Sequence, residues 1–209
     1  MATKPKTTKL NFRKLTANEI ECRVGIAKEK GCSLLLYKDA RCDRKILNET
    51  VGPYNWQRHH NRDNANCIVS LWDESKQQWI EKEDVGTESN TEAEKGLASD
   101  SFKRACFNWG IGEELYTAPF IWIPASKYDN QTRNGKYYPN ARFKVLDIHY
   151  DADGRIDGLK ITNEMLESEN KIVFSFLTTE LAEQMKQKLA DSKAHRADEI
   201  VKAIKNEES

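Results

Sequence analysis

The order of elements between residues 52 and 109 limits the fold more than any other feature of the sequence. Gly52-Pro53 stops a preceding helical stretch, and three short segments follow: Trp56 to His60, Asn66 to Trp72 and Gln77 to Glu81, with Asp73 to Lys76 turning the last pair. These read as an antiparallel meander. After the loop Gly86 to Asn90, Thr91 and Glu94 have the spacing of a capping box, in which each side chain accepts from the other residue's backbone N–H. A helix running to about Trp109 is expected from there, and the sum is an α+β fold: a β-β-β-α unit, with a hairpin and a helix still to come.

Elements on either side extend this plan. The spacing of Ile20, Val24 and Ala27 predicts an amphipathic helix over Thr16 to Lys30, ended by Gly31. Cys32 to Tyr37 has the length of a buried strand. Asp39 to Val51 reads as a helix with Asp39 as cap and Ile46, Leu47 and Val51 as its apolar edge; Arg41 and Arg44, three apart, share a face. Tyr116 to Pro124 is apolar and read as extended, and Tyr128 to Tyr138 as a loop. Phe143, Val145 and Ile148 lead into the turn Asp151 to Gly154, and Ile156, Leu159 and Ile161 leave it, as a hairpin requires. Ile172 to Leu177 adds a strand, and from Thr178 the four-residue spacing of Leu181, Met185 and Leu189 marks a helix. The chain thus divides into a flexible basic arm (1–15), a core (16–125), a loop and hairpin extension (126–177) and a C-terminal amphipathic helix (178–209).

Charge decides which partners are open to such a chain. With 33 basic and 33 acidic residues the formal charge is zero, which excludes a histone-like polycation. The balance hides segregation: residues 1–62 carry 14 basic and 6 acidic residues, and residues 63–100 carry 3 and 10. Such asymmetry suits an anionic partner, or a contact between opposite patches of two subunits. No apolar run approaches the ~18 residues that cross a bilayer, so a cytoplasmic protein with no membrane partner is expected. Cys22, Cys32, Cys42, Cys67 and Cys106 contain no CxxC pair and are expected to be reduced core thiols.

On a helical wheel, Ala98, Phe102, Ala105, Cys106 and Trp109 fall on one side, the face to be buried. Lys103, Arg104 and Phe107 project elsewhere. Two cations beside an aromatic ring suit single-stranded nucleic acid, because cations neutralise phosphates and a ring accepts a base in stacking for roughly 1 to 3 kcal/mol. The same residues also suit the helix dipole and packing against another element.

The segment Ser99-Asp100-Ser101-Phe102-Lys103-Arg104-Ala105, continued by Trp109-Gly110, resembles the signature helix of the Rad fifty-two/Sak family of single-strand annealing proteins, phage-type members in particular. Asp84-Val85-Gly86 is similar to the family's lead into that helix, and Glu92 to Leu97 to its first turns. Ile46 to Glu49 and Val51-Gly52-Pro53-Tyr54-Asn55-Trp56 resemble the helix end and turn that open its meander. These matches keep the family's order and span about residues 32 to 116. The resemblance implies a β-β-β-α annealing core with the meander packed on the signature helix, assembling into a ring or filament with single-stranded DNA in a basic groove. It implies strand annealing in homologous recombination or double-strand break repair, without enzymatic turnover or cofactor, and with a single-strand binding protein, recombinase or exonuclease as further partner. By this resemblance Lys103 and Arg104 bind the DNA backbone, Arg41 or Arg44 contributes a further cation, and Tyr54 matches the aromatic of the turn. Phe107 stands where eukaryotic members carry a third basic residue, and a ring there can stack on a base. Arg58, His60 and Arg62 are further candidates for the groove.

Other constellations carry other chemistry. The alternative function is a metal-dependent nuclease acting on DNA ends, with His59, Asp63 and Asp84 as its first suspects; a third reading is a purely structural oligomer. Adjacent residues His59 and His60 point to opposite faces of a strand and do not chelate one ion together. Asp151 to Gly154 lacks the remaining ligands of a calcium loop. A nucleophilic Cys106 is disfavoured by its buried position on the wheel. No GxxxxGK[ST] loop is present to cradle a triphosphate. Trp72, Trp79, Trp109 and Trp122 are read as core or interface residues.

Overall fold

The computed structural model describes residues 10–87, 93–167 and 171–207. Residues 1–9 of the expected arm and the capping position Thr91 lie outside the described residues; the rest of that arm is not free, because Phe12 and Leu15 are buried in the core. In chain order the elements are β1 (Glu21–Lys28), β2 (Gly31–Tyr37), α1 (Ala40–Val51), β3 (Trp56–Asn61), β4 (Asn66–Asp73), β5 (Gln78–Val85), α2 (Ala93–Phe107), β6 (Ile121–Pro124), β7 (Asp129–Arg133), β8 (Lys136–Asn140), β9 (Phe143–Tyr150), β10 (Ile156–Asn163), β11 (Ile172–Leu177) and α3 (Thr179–Glu207). Short 3-10 turns at Ala17–Glu19, Glu113–Thr117 and Ala125–Lys127 join them. The strands form a six-stranded sheet in the order β11-β10-β9-β1-β2-β6, a three-stranded sheet β3-β4-β5 and the hairpin β7-β8, all antiparallel. The fold is α+β, and no helix among the described residues is long and apolar enough to cross a membrane.

The meander forms as its sequence dictates. Cys67, Val69 and Leu71 alternate along β4 and are buried against α2, whose Phe102, Ala105 and Cys106 are fully buried in return. Ser101 fixes the helix in place: its hydroxyl donates to the carbonyls of Ala98 (3.2 Å) and Asn64 (3.0 Å), the latter in the β3–β4 turn. Gly86 makes the close approach possible, because a Cβ there would lie 2.5 Å from the Ser101 nitrogen and 2.7 Å from the Leu97 carbonyl oxygen. α1 begins at Asp39, which accepts from the N–H groups of Arg41 (2.7 Å) and Cys42 (3.1 Å), and ends at Gly52 with φ 83°. One buried cluster joins α1 (Ile46, Leu47), α2, the meander and the large sheet through Leu34, Ile121, Val145, Leu159 and Ile161. Residues 143–177 therefore continue the same sheet as residues 21–37.

Several expectations are corrected. Residues 16–30 form a 3-10 turn and strand β1, not a helix. The register of β1 on β2 shifts between Val24 and Ala27, a bulge that keeps Val24 and Ala27 packed against the core although they are three residues apart. A bulged strand thus imitates helical spacing. The expected loop Tyr128 to Tyr138 contains the hairpin β7-β8, turned at Asn134 and Gly135, whose φ angles of 50° and 70° suit a two-residue hairpin turn. Tyr116 and Thr117 belong to a 3-10 turn, and the extended segment is shorter than expected, Ile121–Pro124. β5 runs on to Val85. In α3 only Leu181 of the apolar stripe is buried; Met185 and Leu189 are exposed.

Candidate nucleic-acid interface

Strand β2 has β1 along its whole length on one side, but β6 covers only Gly31 to Leu34 on the other. Past Leu34 the chain of β6 has diverged through Phe120, and the space left is a groove of about 660 Å³ between β2, the C-terminal half of α2 and residues 112–121. Lys103, Arg104 and Phe107 line it from α2, with Lys38 at the end of β2 and Tyr116 and Phe120 on the opposite rim. Three cations and one carboxylate, Asp100, line the groove. Asp100 is already engaged, accepting the Thr87 N–H at 2.9 Å and lying 3.8 Å from Lys103 Nζ.

Each cation is held differently. Arg104 is exposed, with its Nε 3.2 Å from Asp84 Oδ1. Lys103 is half-buried. Lys38 is buried and donates to Asp43, which is itself fully buried, with its second oxygen lacking a hydrogen-bond partner. Burial pushes the Asp43 carboxyl up to about 6, against the downward pull of the Lys38 ammonium. Gly112, at φ 80°, passes so close to Lys38 that a Cβ there would collide with its side chain.

The aromatic residues complete the site. Phe107 and Tyr116 have ring centroids 4.7 Å apart at 53°, and Phe120 stacks on Trp122 at 6.5 Å and 18°. Tyr116 and Phe120 were not singled out in the sequence, where they sit in a run that reads as a strand. Gly112 and Pro119, which bracket the 3-10 turn, were the available signal that this run breaks. Lys38 and Tyr37 were equally hidden, at the end of a strand read as buried.

The other expected residues do not line the groove. Arg41 is exposed at the start of α1 and paired with Asp39 at 2.8 Å; Arg44, also exposed, has no ion-pair partner among the described residues. Tyr54 is 92% exposed in the α1–β3 turn. Arg58 lies over the Phe102 ring, 4.7 Å from its centroid, and Arg62 sits in the β3–β4 turn at φ 50°. His60 approaches Ser101 at 3.4 Å, and burial, with the nearby Arg58 and His59, lowers its pKa.

The residues suspected of nuclease chemistry are not brought together. His59 is in register with Ile68 and Glu83, whereas His60 is in register with Cys67 and Asp84, so His59 and Asp84 project from opposite faces of the meander. Among the described residues no group of three His, Cys, Asp or Glu is arranged to hold a metal ion. Cys106 is fully buried, and burial raises its thiol well above the usual range. Trp109 donates to the Val69 carbonyl at 3.1 Å, and Trp72 meets Trp79 edge-on at 5.5 Å.

No family model matches the sequence, and neither a curated protein nor a solved structure matches it.

Proposed function

We propose that this chain binds single-stranded DNA in the groove between α2 and β2 and, as a homo-oligomer, promotes annealing of complementary strands in recombination or double-strand break repair, without nucleotide hydrolysis. The observation that carries the reading is that Lys103, Arg104 and Phe107, the residues that the resemblance and the helical wheel single out, share one groove with two further exposed rings. Cations beside π-faces serve single strands, since phosphates are neutralised while every base has a face to stack. Complementary strands repel through their phosphates; a protein that neutralises and extends one strand accelerates pairing, and the sequence is read by the strands themselves.

Two observations support self-assembly. β3 and β5 have no strand on their outer sides among the described residues, so both edges of the meander offer backbone groups to a further strand. Among the described residues, no ion pair joins the basic first 62 residues to the acidic 63–100 segment, so the charge contrast between the two segments is not neutralised by direct pairing within the chain. A single-strand binding protein, recombinase or exonuclease is the proposed further partner.

The test is titration of a labelled single strand at several salt concentrations with wild type and the Lys103→Ala/Arg104→Ala double variant. The variant binds more weakly and with a flatter salt dependence. Unchanged affinity in the folded variant removes the groove from the account.

A further inference from the structure

Resting on the nucleic-acid reading of the groove, we infer that Tyr116 and Phe120 are its base-stacking platforms, so that the site grips a single strand by the faces of its bases as well as by its phosphates. Apart from Tyr54, these are the most exposed aromatic residues described, at 76% and 78%. Each ring is backed by another, Tyr116 by Phe107 and Phe120 by Trp122, and still leaves most of its surface to water. Exposed rings held by aromatic neighbours offer apolar contact area with little freedom left to lose on binding.

The backbone beneath them is fixed. Thr117, next to Tyr116, accepts the Ile156 N–H at 2.8 Å through its hydroxyl, which also donates to the Glu114 carbonyl at 2.7 Å. Glu114 is buried and accepts the Leu15 N–H at 2.7 Å. Phe120 leads directly into β6, whose Ile121 is in register with Leu34 of β2. The hydroxyl of Tyr116 has no partner among the described residues, so the ring itself is what this position presents.

An apolar peptide or a second copy of the chain would also cover two such rings. The charge around them favours a polyanion, because Lys103 and Arg104 line the same groove and its single carboxylate is already occupied by Thr87 and Lys103. Stacking also fits annealing: it engages the faces of a base and leaves its Watson–Crick edge for the incoming strand. Duplex DNA, with its bases stacked internally, offers these rings nothing.

The experiment compares binding of the full chain to a mixed-sequence single strand and to an abasic strand of the same length and charge. Wild type is expected to prefer the base-bearing strand by about tenfold or more. Tyr116→Ala/Phe120→Ala removes that preference while leaving the affinity for the abasic strand and the salt slope unchanged; Tyr116→Phe keeps it. The inference is overturned if the double variant retains the preference, if it weakens both strands equally, or if its main effect is to change the sedimentation of the protein without DNA. If wild type binds neither strand, or if Lys103→Ala/Arg104→Ala binds both like wild type, it is the underlying nucleic-acid reading that falls.

Discussion

Arg104 Nε lies 3.2 Å from Asp84 Oδ1, and Asn108 reaches the other oxygen of the same carboxylate at 3.3 Å, so the end of β5 and the exposed side of α2 are tied through one acidic side chain. Asp84 thereby competes with any phosphate for the Arg104 guanidinium. Exposed pairs of this kind are worth about 0.2–1 kcal/mol. Asp84→Asn is therefore expected to strengthen single-strand binding by about 1.4- to fivefold at low salt. Weaker binding would instead mean that Asp84 positions Arg104 for the strand, and loss of a strand-cleaving activity would give Asp84 the nuclease role that its position facing away from His59 argues against.

Gly86 sits where β5 hands the chain toward α2, and any side chain there meets helix backbone, which cannot swing away as a flexible side chain can. Gly86→Ala is expected to destabilise the fold by about 1–3 kcal/mol, as overpacking does. A lowered midpoint of chemical denaturation checks this, and an unchanged midpoint would show that the strand end and the helix are less closely apposed.

Asp43 gives stability a pH signature. Burial raises its folded-state value to about 6, above that of an exposed carboxyl, so the folded protein holds this proton more tightly than the unfolded chain. Its contribution is present in full below about pH 4 and is lost as pH rises through 6. Relative to Asp43→Asn, wild type should lose roughly 2–3 kcal/mol between pH 4 and 7. Denaturation of both proteins across that range measures the difference; a gap that stays flat or widens in favour of wild type would mean that Lys38 outweighs burial.

The meander, α1, the β9-β10 hairpin and the cationic pair of α2 were legible because each rests on local chemistry: alternation, an Asp cap, a turn, a helical wheel. β1 was misread because the bulge between Val24 and Ala27 lets a strand carry apolar residues at helical intervals. The Asn134-Gly135 hairpin was legible in principle, but its strands, Asp129–Arg133 and Lys136–Asn140, are mainly polar and gave no apolar alternation to flag it. Half of the groove was hidden for a different reason. Lys103 and Tyr116 line one groove because residues 113–117 turn back beside α2 instead of extending, and only Gly112 and Pro119 mark that break in the sequence. Arg58 was expected in a groove for its charge, yet the Phe102 ring claims it.

Annealing itself is the most direct test of the central claim. Two complementary strands carrying a fluorescence donor and quencher are mixed with wild-type protein in a chelator-containing buffer without nucleotide, and quenching is followed in time. The account predicts faster pairing than without protein, recovery of both strands at full length, and loss of the acceleration in Lys103→Ala/Arg104→Ala. Pairing no faster than without protein, or equal acceleration by the double variant, would contradict it.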